Sequence, residues 1–149
     1  MPKSATIQRA KQDKREGKSA STQAGEFVHE EIRRIRKGAH GARSAKQAIA
    51  IGLSKARRAG VKLRPPKKGT LSEKARRSAV SAYRKGQRHE PISRTRSRAM
   101  EKALKREGWG SVSRTSLSRQ AHAAAMRRTK AQRSMTAKKA ARTRAKHHH

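Results

Sequence analysis

The stretch GARSAKQAIAIGLSKARRAG, residues 41–60, decides the fold of this chain because it holds a complete helical pattern. Its apolar and small residues recur at i, i+3, i+4, i+7, i+8 and i+11, a spacing that places them on one helical face. These residues are Ala45, Ala48, Ile49, Gly52, Leu53 and Ala56. Ser44 and Gln47 match a capping box at the start, and Gly60 is a stop signal at the end. The stretch therefore predicts an amphipathic helix with one packing face.

A second helix is predicted directly before it, over STQAGEFVHEEIRRIRK, residues 21–37. Val28, Ile32 and Ile35 share a face at i, i+4 and i+7. Acidic residues come early and basic residues late in this segment, an order that complements the helix macrodipole. Because only a short turn separates the two helices, we expect residues 21–60 to form an antiparallel helical hairpin, the ordered core of the chain.

The remaining segments are basic and poor in large apolar residues. Capping and stop signals predict short Ala-rich helices, one from a Thr70–Glu73 capping box to Gly86, one over residues 93–107 and one over residues 117–130. We expect an all-α fold in which the hairpin is followed by these helices, partly disordered without a polyanion. The remaining divisions are a basic flexible arm at 1–20, a Pro-containing basic linker at 61–69, the Ala/Ser-rich helices at 70–130, a basic tail at 131–146 and a purification-tag remnant at 147–149.

The charge balance excludes several classes of protein. The chain has 149 residues, 42 Lys and Arg against 9 Asp and Glu, a net charge of +33, and no cysteine. Disulfide frameworks and thiolate metal sites are therefore ruled out. No apolar run approaches the roughly 18 residues of a transmembrane helix, so we expect no membrane partner and a cytoplasmic location. A compact chain with this charge repels itself unless an anion neutralises it.

Patterns that carry catalysis or cofactor binding are missing from the sequence. The four histidines before the tag, His29, His40, His89 and His122, have no metal-ligand spacing. No phosphate-binding loop is present, and most carboxylates stand within a few residues of basic ones. We expect no enzymatic activity, no cofactor and no metal.

Recurring basic blocks are the informative feature, and nucleic acid is the partner they favour. Contacts of Lys and Arg with phosphates carry no sequence information. Lys46, Lys55, Arg57 and Arg58 face away from the apolar stripe of their helix and are expected to be free for contact. The full predicted set is Arg33, Arg34, Lys46, Lys55, Arg57, Arg58, Arg64, Lys67, Lys68, Arg76, Arg77, Arg94, Arg96, Arg98, Arg127 and Arg128.

The aromatic content favours a duplex over single strands. Modules that read single strands stack bases on aromatic rings, and this chain has only Phe27, Tyr83 and Trp109. Two alternatives remain open on the residues alone. One is an RNA-binding protein of ribosomal type, and the other is a dimeric regulator whose apolar stripe docks a partner or a second copy.

Residues 21–69, and GARSAKQAIAIGLSKARRAG above all, resemble a family of small, highly basic bacterial DNA-binding proteins, labelled histone-like or plasmid-stabilisation proteins. The later segments LSRQAHAAAMRR and KKAARTRAK resemble the basic extension of that family. The resemblance implies binding of DNA in the nucleoid or on plasmids, and it implies no catalytic residues.

Overall fold

The protein is all-helical, as the sequence predicted. The computed structural model describes residues 2–147, so the expected tag remnant at 147–149 lies outside it except for His147. Within these residues there are seven α-helices, one short 3-10 helix and no strand. The helices are α1 Ser4–Arg15, α2 Ala20–Arg36, α3 Ala45–Arg58, α4 Glu73–Gln87, α5 Arg94–Leu104, α6 Arg114–Met126 and α7 Lys130–Lys146, with the 3-10 helix at Gly110–Val112. The chain divides into two compact units, between Ser113 and Arg114.

Helices α2 and α3 form the predicted antiparallel hairpin. Phe27, early in α2, shares a buried cluster with Ala56, late in α3, while Ile35, late in α2, shares another with Ala48, early in α3. Gly38 and Gly60 follow the two helices with positive φ angles of 77° and 92°, the conformation in which glycine ends a helix at least cost.

The two hairpin helices approach so closely that one position admits no side chain. A Cβ atom added to Gly52 would lie 2.6 Å from Val28 Cα, well inside van der Waals contact. The absence of a side chain lets backbone pack on backbone, which explains how a core made largely of alanine still excludes water.

The start of α3 is capped in a variant of the predicted box. Ser44 Oγ accepts a hydrogen bond from the Gln47 backbone N–H at 3.1 Å, as expected. The Gln47 side chain, however, accepts from the backbone N–H of Arg43 at 2.6 Å rather than from that of Ser44. The N–H groups of Arg43 and Gln47 have no partner within the helix, so the two side chains satisfy them. The capping contacts therefore begin one residue earlier, at Arg43, than in the predicted box.

The N-terminal segment differs from the prediction of a flexible arm. Helix α1 packs on α2, with Ala10 buried and Ile7 partly buried against the cluster around Phe27. These two apolar residues are enough to hold α1 on α2 because polar contacts between the two segments add to them. The Lys3 N–H donates to the Glu30 carboxylate at 3.0 Å.

Helix α4 packs against α3 on a different side from α2. Ala79, Ala82 and Gly86 are buried on this face, and a Cβ on Gly86 would collide with the carbonyl oxygen of Arg57. The predicted stop at Gly86 was therefore wrong by one residue, since this glycine serves the helix contact and α4 continues to Gln87. The N-cap is Ser72 rather than Thr70, and Ser72 Oγ accepts from the Ala75 N–H at 3.3 Å.

The predicted linker at 61–69 is extended at its start, but it is partly packed. Val61 is buried and Leu63 lies against the same cluster as Phe27. The chain thus leaves α3 along the core surface, and this course brings α4 back beside α3.

The turn between α2 and α3 holds the C-terminal end of the first unit. The N–H of Gly41 donates to Leu104 O at 2.9 Å, and the N–H of Ala42 donates to Gly108 O at 3.0 Å. Arg36 donates twice to Val112 O, at 2.9 and 3.1 Å, and Val112 is fully buried. Helix α5 is therefore anchored at its C-terminal end.

The second unit consists of α6 and α7, and neither has a buried residue. The segment predicted as a basic tail at 131–146 is helical, beginning with a capping box between Thr129 and Gln132 at 3.0 and 3.2 Å. The predicted helix at 117–130 lies three to four residues earlier, at Arg114–Met126. The helix predicted at 93–107 is shorter and ends at Leu104.

A buried carboxylate joins α2, α3 and the turn between them. Glu31 is 1% exposed and binds the Lys55 ammonium through Oε2. Its Oε1 lies 2.6 Å from Nε2 of buried His40, and His40 Nδ1 is 2.8 Å from Gly41 O. A carbonyl oxygen only accepts, so Nδ1 donates to it and holds the ring in place.

Replacing Gly52 with alanine should destabilise the protein because the new methyl group would push α2 and α3 apart. We expect the free energy of unfolding to fall by about 1–3 kcal/mol, measured by urea denaturation. Gly25→Ala is the matched control, since nothing lies within 4 Å of that position in α2. It should stabilise by about 0.5–1 kcal/mol, and equal effects of the two changes would contradict the close contact.

Replacing Lys55 with methionine should leave the Glu31 carboxylate buried without its ammonium partner. We expect a loss of about 3 kcal/mol in the free energy of unfolding, whereas Lys46→Met, at an exposed lysine of the same helix, should stay within about 0.5 kcal/mol. The double variant Glu31→Leu/Lys55→Met should recover most of the loss because no unpaired charge remains. If the double variant lost as much free energy of unfolding as the two single variants together, the result would contradict the ion pair.

Candidate nucleic-acid interface

Positive charge covers the surface because the carboxylates cannot balance it. Nine Asp and Glu face 42 Lys and Arg, so at least 33 cations lack a carboxylate of their own. Several carboxylates are also engaged in holding the fold. Glu31 binds Lys55, and Glu26 lies 2.6 Å from Arg9 across α1 and α2.

Within the first unit, the exposed side of α4 gathers cations into a groove. We call this surface the α4 groove; it has a volume of about 430 Å³. Its cationic residues are Arg76, Arg77, Arg84, Lys85 and Arg88. Val80, Ser81 and Glu90 complete the lining.

Helical periodicity places these cations together. Arg77, Arg84 and Arg88 recur at i, i+7 and i+11, while Ala79 and Ala82 occupy the opposite face and are buried against α3. The packing of small residues on α3 therefore fixes which way the arginines point. The distances between the cations of the groove are therefore set by a helix rather than by a loop.

Two carboxylates reduce the positive field of the α4 groove. Glu73 accepts from Arg76 at 2.9 and 3.2 Å and lies 3.6 Å from Arg77. The hydrogen bond from Arg76 lowers the pKa of Glu73 and, reciprocally, raises the pKa of Arg76. Glu90 lies 3.8 Å from Arg88. A phosphate that approaches the groove must compete with these carboxylates.

Three residues predicted to be free on α3 are engaged inside the protein. Arg57 is only 7% exposed and donates through Nε to Leu63 O at 3.2 Å; burial lowers the pKa of its guanidinium. Arg58 donates through Nη2 to the carbonyl oxygens of Glu90 and Pro91, both at 3.1 Å. Lys55 binds Glu31. The prediction was wrong because the last turns of α3 lie between α2 and α4 and have little free face.

The other predicted cations stay available to different degrees. Arg34 lies 3.9 Å from Glu101 and Arg76 is bonded to Glu73, so both are partly engaged. All of the remainder are exposed, and they lie on several elements of the two units. These exposed residues are Arg33, Lys46, Arg64, Lys67, Lys68, Arg77, Arg94, Arg96, Arg98, Arg127 and Arg128.

Some cations that the structure leaves exposed or half-buried were missing from the predicted set. Arg84, Lys85 and Arg88 belong to the α4 groove, and their spacing from Arg77 was the signal that could have found them. In the second unit, Lys138, Arg142 and Lys146 recur at i, i+4 and i+8 along α7, all exposed. The reading of residues 131–146 as a tail hid this periodicity.

The aromatic residues do not form a base-stacking platform within residues 2–147. Phe27 is 1% exposed and belongs to the core. Tyr83 is partly buried on α4, and Trp109 is 65% exposed just before the 3-10 helix. A single exposed ring can stack on one base at most.

The described part of the chain has neither a cluster of metal ligands nor a membrane-spanning helix. No three His, Asp or Glu side chains there are placed to hold a metal ion. Among its helices, none combines the length and the apolar content that a membrane crossing requires.

Comparison with known proteins gives one match. A family model described as "Family of unknown function (DUF6496)" matches residues 11–68, which run from the second half of α1 to the end of the extended segment after α3. No curated protein and no solved structure matches the chain. The matched region contains the hairpin and the buried Glu31 cluster, and it ends before the α4 groove.

Proposed function

We propose that this protein binds duplex DNA mainly through the phosphates, with low sequence specificity, in the manner of a bacterial histone-like protein. The observation that carries the proposal is the excess of Lys and Arg over the carboxylates that could pair with them, which gives a net charge of +33 in 149 residues. A solvated surface does not need this much charge of one sign. A polyanion removes the self-repulsion that such a charge creates.

The α4 groove is the proposed principal contact in the first unit. Arginine guanidinium groups donate to phosphate oxygens in pairs, and their binding releases the counterions condensed on DNA. Four of the five cations of the groove lie on α4 and Arg88 is its C-cap residue, so a duplex backbone can meet them without reordering the chain. The carbonyl contacts of Arg58 beside the groove then serve the fold rather than the DNA.

The second unit supplies a second set of phosphate contacts. Residues 114–149 include eleven Lys and Arg and no Asp or Glu. Lys138 and Arg142 are like charges at i, i+4 on α7, an arrangement that weakens an isolated helix. Neutralisation by phosphates removes this repulsion, so DNA binding should stabilise α7.

Low specificity follows from the chemistry of the contacts. Phosphate contacts fix position but carry no base information. Base reading in single strands requires several stacked aromatic rings, and Trp109 is the one strongly exposed aromatic residue in residues 2–147. Coating or compaction of nucleoid or plasmid DNA is the role that fits this set of contacts.

The double variant Arg84→Gln/Arg88→Gln tests the DNA contact in the α4 groove. Loss of two charge-assisted phosphate contacts should weaken binding at least about tenfold on two unrelated duplexes alike, measured by fluorescence anisotropy at one salt concentration. The matched control is Lys11→Gln/Lys14→Gln, which removes the same charge from exposed sites on α1. Its effect should stay below about threefold.

Three outcomes of this experiment would contradict the proposal. An equal loss in both variants would remove the α4 groove as the principal contact. A loss confined to one duplex would indicate sequence reading. Preference of the wild-type protein for a folded RNA hairpin over both duplexes would assign it to the RNA-binding alternative of ribosomal type.

Replacing Glu73 with glutamine should strengthen duplex binding. The change releases Arg76 and Arg77 from their carboxylate. Because exposed ion pairs of this kind are weak, we expect the affinity for the duplex to rise about threefold. Glu107→Gln is the control, because it removes one negative charge at an exposed site outside the α4 groove. An equal gain in both variants would show that only net charge matters.

A further inference from the structure

A cleft of about 570 Å³ lies within the first unit, beside the α4 groove, with which it shares Ser81, Lys85 and Glu90. Helix α3 supplies Ser54 and Arg58, α4 supplies Ala82 and Lys85, and α5 supplies Arg96, while residues of α1, α2 and the turn after α2 complete the lining. This volume falls within the range of about 300–1,000 Å³ that small-molecule sites occupy in proteins. The cleft is therefore large enough for a metabolite-sized ligand.

The cleft has an apolar part. Ile51 and Leu104 lie on α3 and α5, and Ile92 and Met100 line the cleft while remaining 38% and 59% exposed. Apolar side chains left open to water at a concave surface mark a place where a ligand can bury them.

The polar lining of the cleft carries unbalanced positive charge. Each of its three carboxylates has a basic partner, namely Lys55 for Glu31, Arg34 for Glu101 and Arg88 for Glu90. Lys85 and Arg96 also line the cleft, and neither has a carboxylate partner within residues 2–147. These two side chains leave the cleft with a net attraction for an anion.

One donor in the cleft has no acceptor. Arg58 donates through Nη2 to the carbonyl oxygens of Glu90 and Pro91. Its Nη1 is buried and has no hydrogen-bond partner among the described atoms. Within residues 2–147 no carboxylate pairs with this guanidinium, so its charge adds to the attraction of the cleft for an anion. The N-terminal turn of α5, with Ser93 and Ser97, also lines the cleft and adds the positive end of a helix dipole.

We propose that this cleft binds an organic anion, a molecule with an apolar body and one phosphate, sulfonate or carboxylate group. The anionic group would accept from Lys85 and Arg96 beside the Arg58 guanidinium, and the apolar body would cover Ile92 and Met100. The cleft shares Lys85 with the α4 groove, whereas Arg96 lines the cleft alone, so a change of Arg96 distinguishes anion binding in the cleft from phosphate binding in the groove.

The test is a fluorescence titration of the full chain with 1-anilinonaphthalene-8-sulfonate at about 150 mM salt, where diffuse charge attraction is screened beyond roughly 8 Å. Saturable binding of one molecule per chain is expected. Arg96→Gln and Lys85→Gln should each weaken it about tenfold. Both residues lack structural bonds, so these variants keep the fold, whereas a change of Arg58 would also release the loop at 90–91.

Matched controls separate a built site from net charge. Arg98→Gln on α5 and Lys74→Gln on α4 remove the same charge from positions that do not line the cleft, and each should change binding less than twofold. Equal weakening by all four variants, or binding that does not saturate, would overturn the proposal.

Competition identifies the chemistry of the natural ligand. Displacement of the probe by dodecanoate alone supports an acyl carboxylate, and displacement by AMP alone supports a nucleoside phosphate. Displacement by both supports the shared requirement for one anionic group on an apolar body. Displacement by neither would overturn the assigned ligand class.

Discussion

The close contact between α2 and α3 is the constraint on which the rest of the structure depends. A chain with a net charge of +33 has few large apolar residues with which to oppose its own repulsion. It packs small residues tightly, with Gly52 against the Val28 backbone, and it repeats this device where Gly86 meets Arg57. Because glycine and alanine bury little area each, a short distance between helices has to replace large side chains. Helix α1, the turn at 38–44 and α4 all pack on the platform that this contact creates.

Charge is divided between two tasks. The few carboxylates lie mostly where elements meet, as Glu31 does between α2, α3 and the turn, and Glu30 at the start of α1. The cations that meet them belong to the fold, while the larger remainder faces outward. This division explains why arginines on successive helices differ in role. Arg57 is bonded inside, and Arg77 on the next helix is 79% exposed.

Helical periodicity was sufficient to predict the hairpin, its antiparallel course and the all-α class, because apolar spacing and glycine stops are local signals. The same periodicity already placed Glu31 seven residues after Ala24, and Lys55 seven residues after Ala48, on the packing faces. Lys55 was nevertheless predicted to face away from the apolar stripe, and the acidic residues of α2 were interpreted only as complements of the macrodipole. The engagement of Arg57 and Arg58 could not be predicted, since it depends on where α4 returns after the segment at 61–69. The ordering of α1 was missed because its support is a set of polar contacts between residues distant in the sequence.

The salt dependence of duplex binding by the wild-type protein tests the central claim most directly. Binding would be measured by anisotropy from about 50 to 400 mM salt on two unrelated duplexes. If the five cations of the α4 groove contact phosphates, the logarithm of the affinity should fall linearly with the logarithm of the salt concentration, with a slope of about −4 or steeper on both duplexes. A slope near zero, or binding to only one duplex that persists at high salt, would contradict the account.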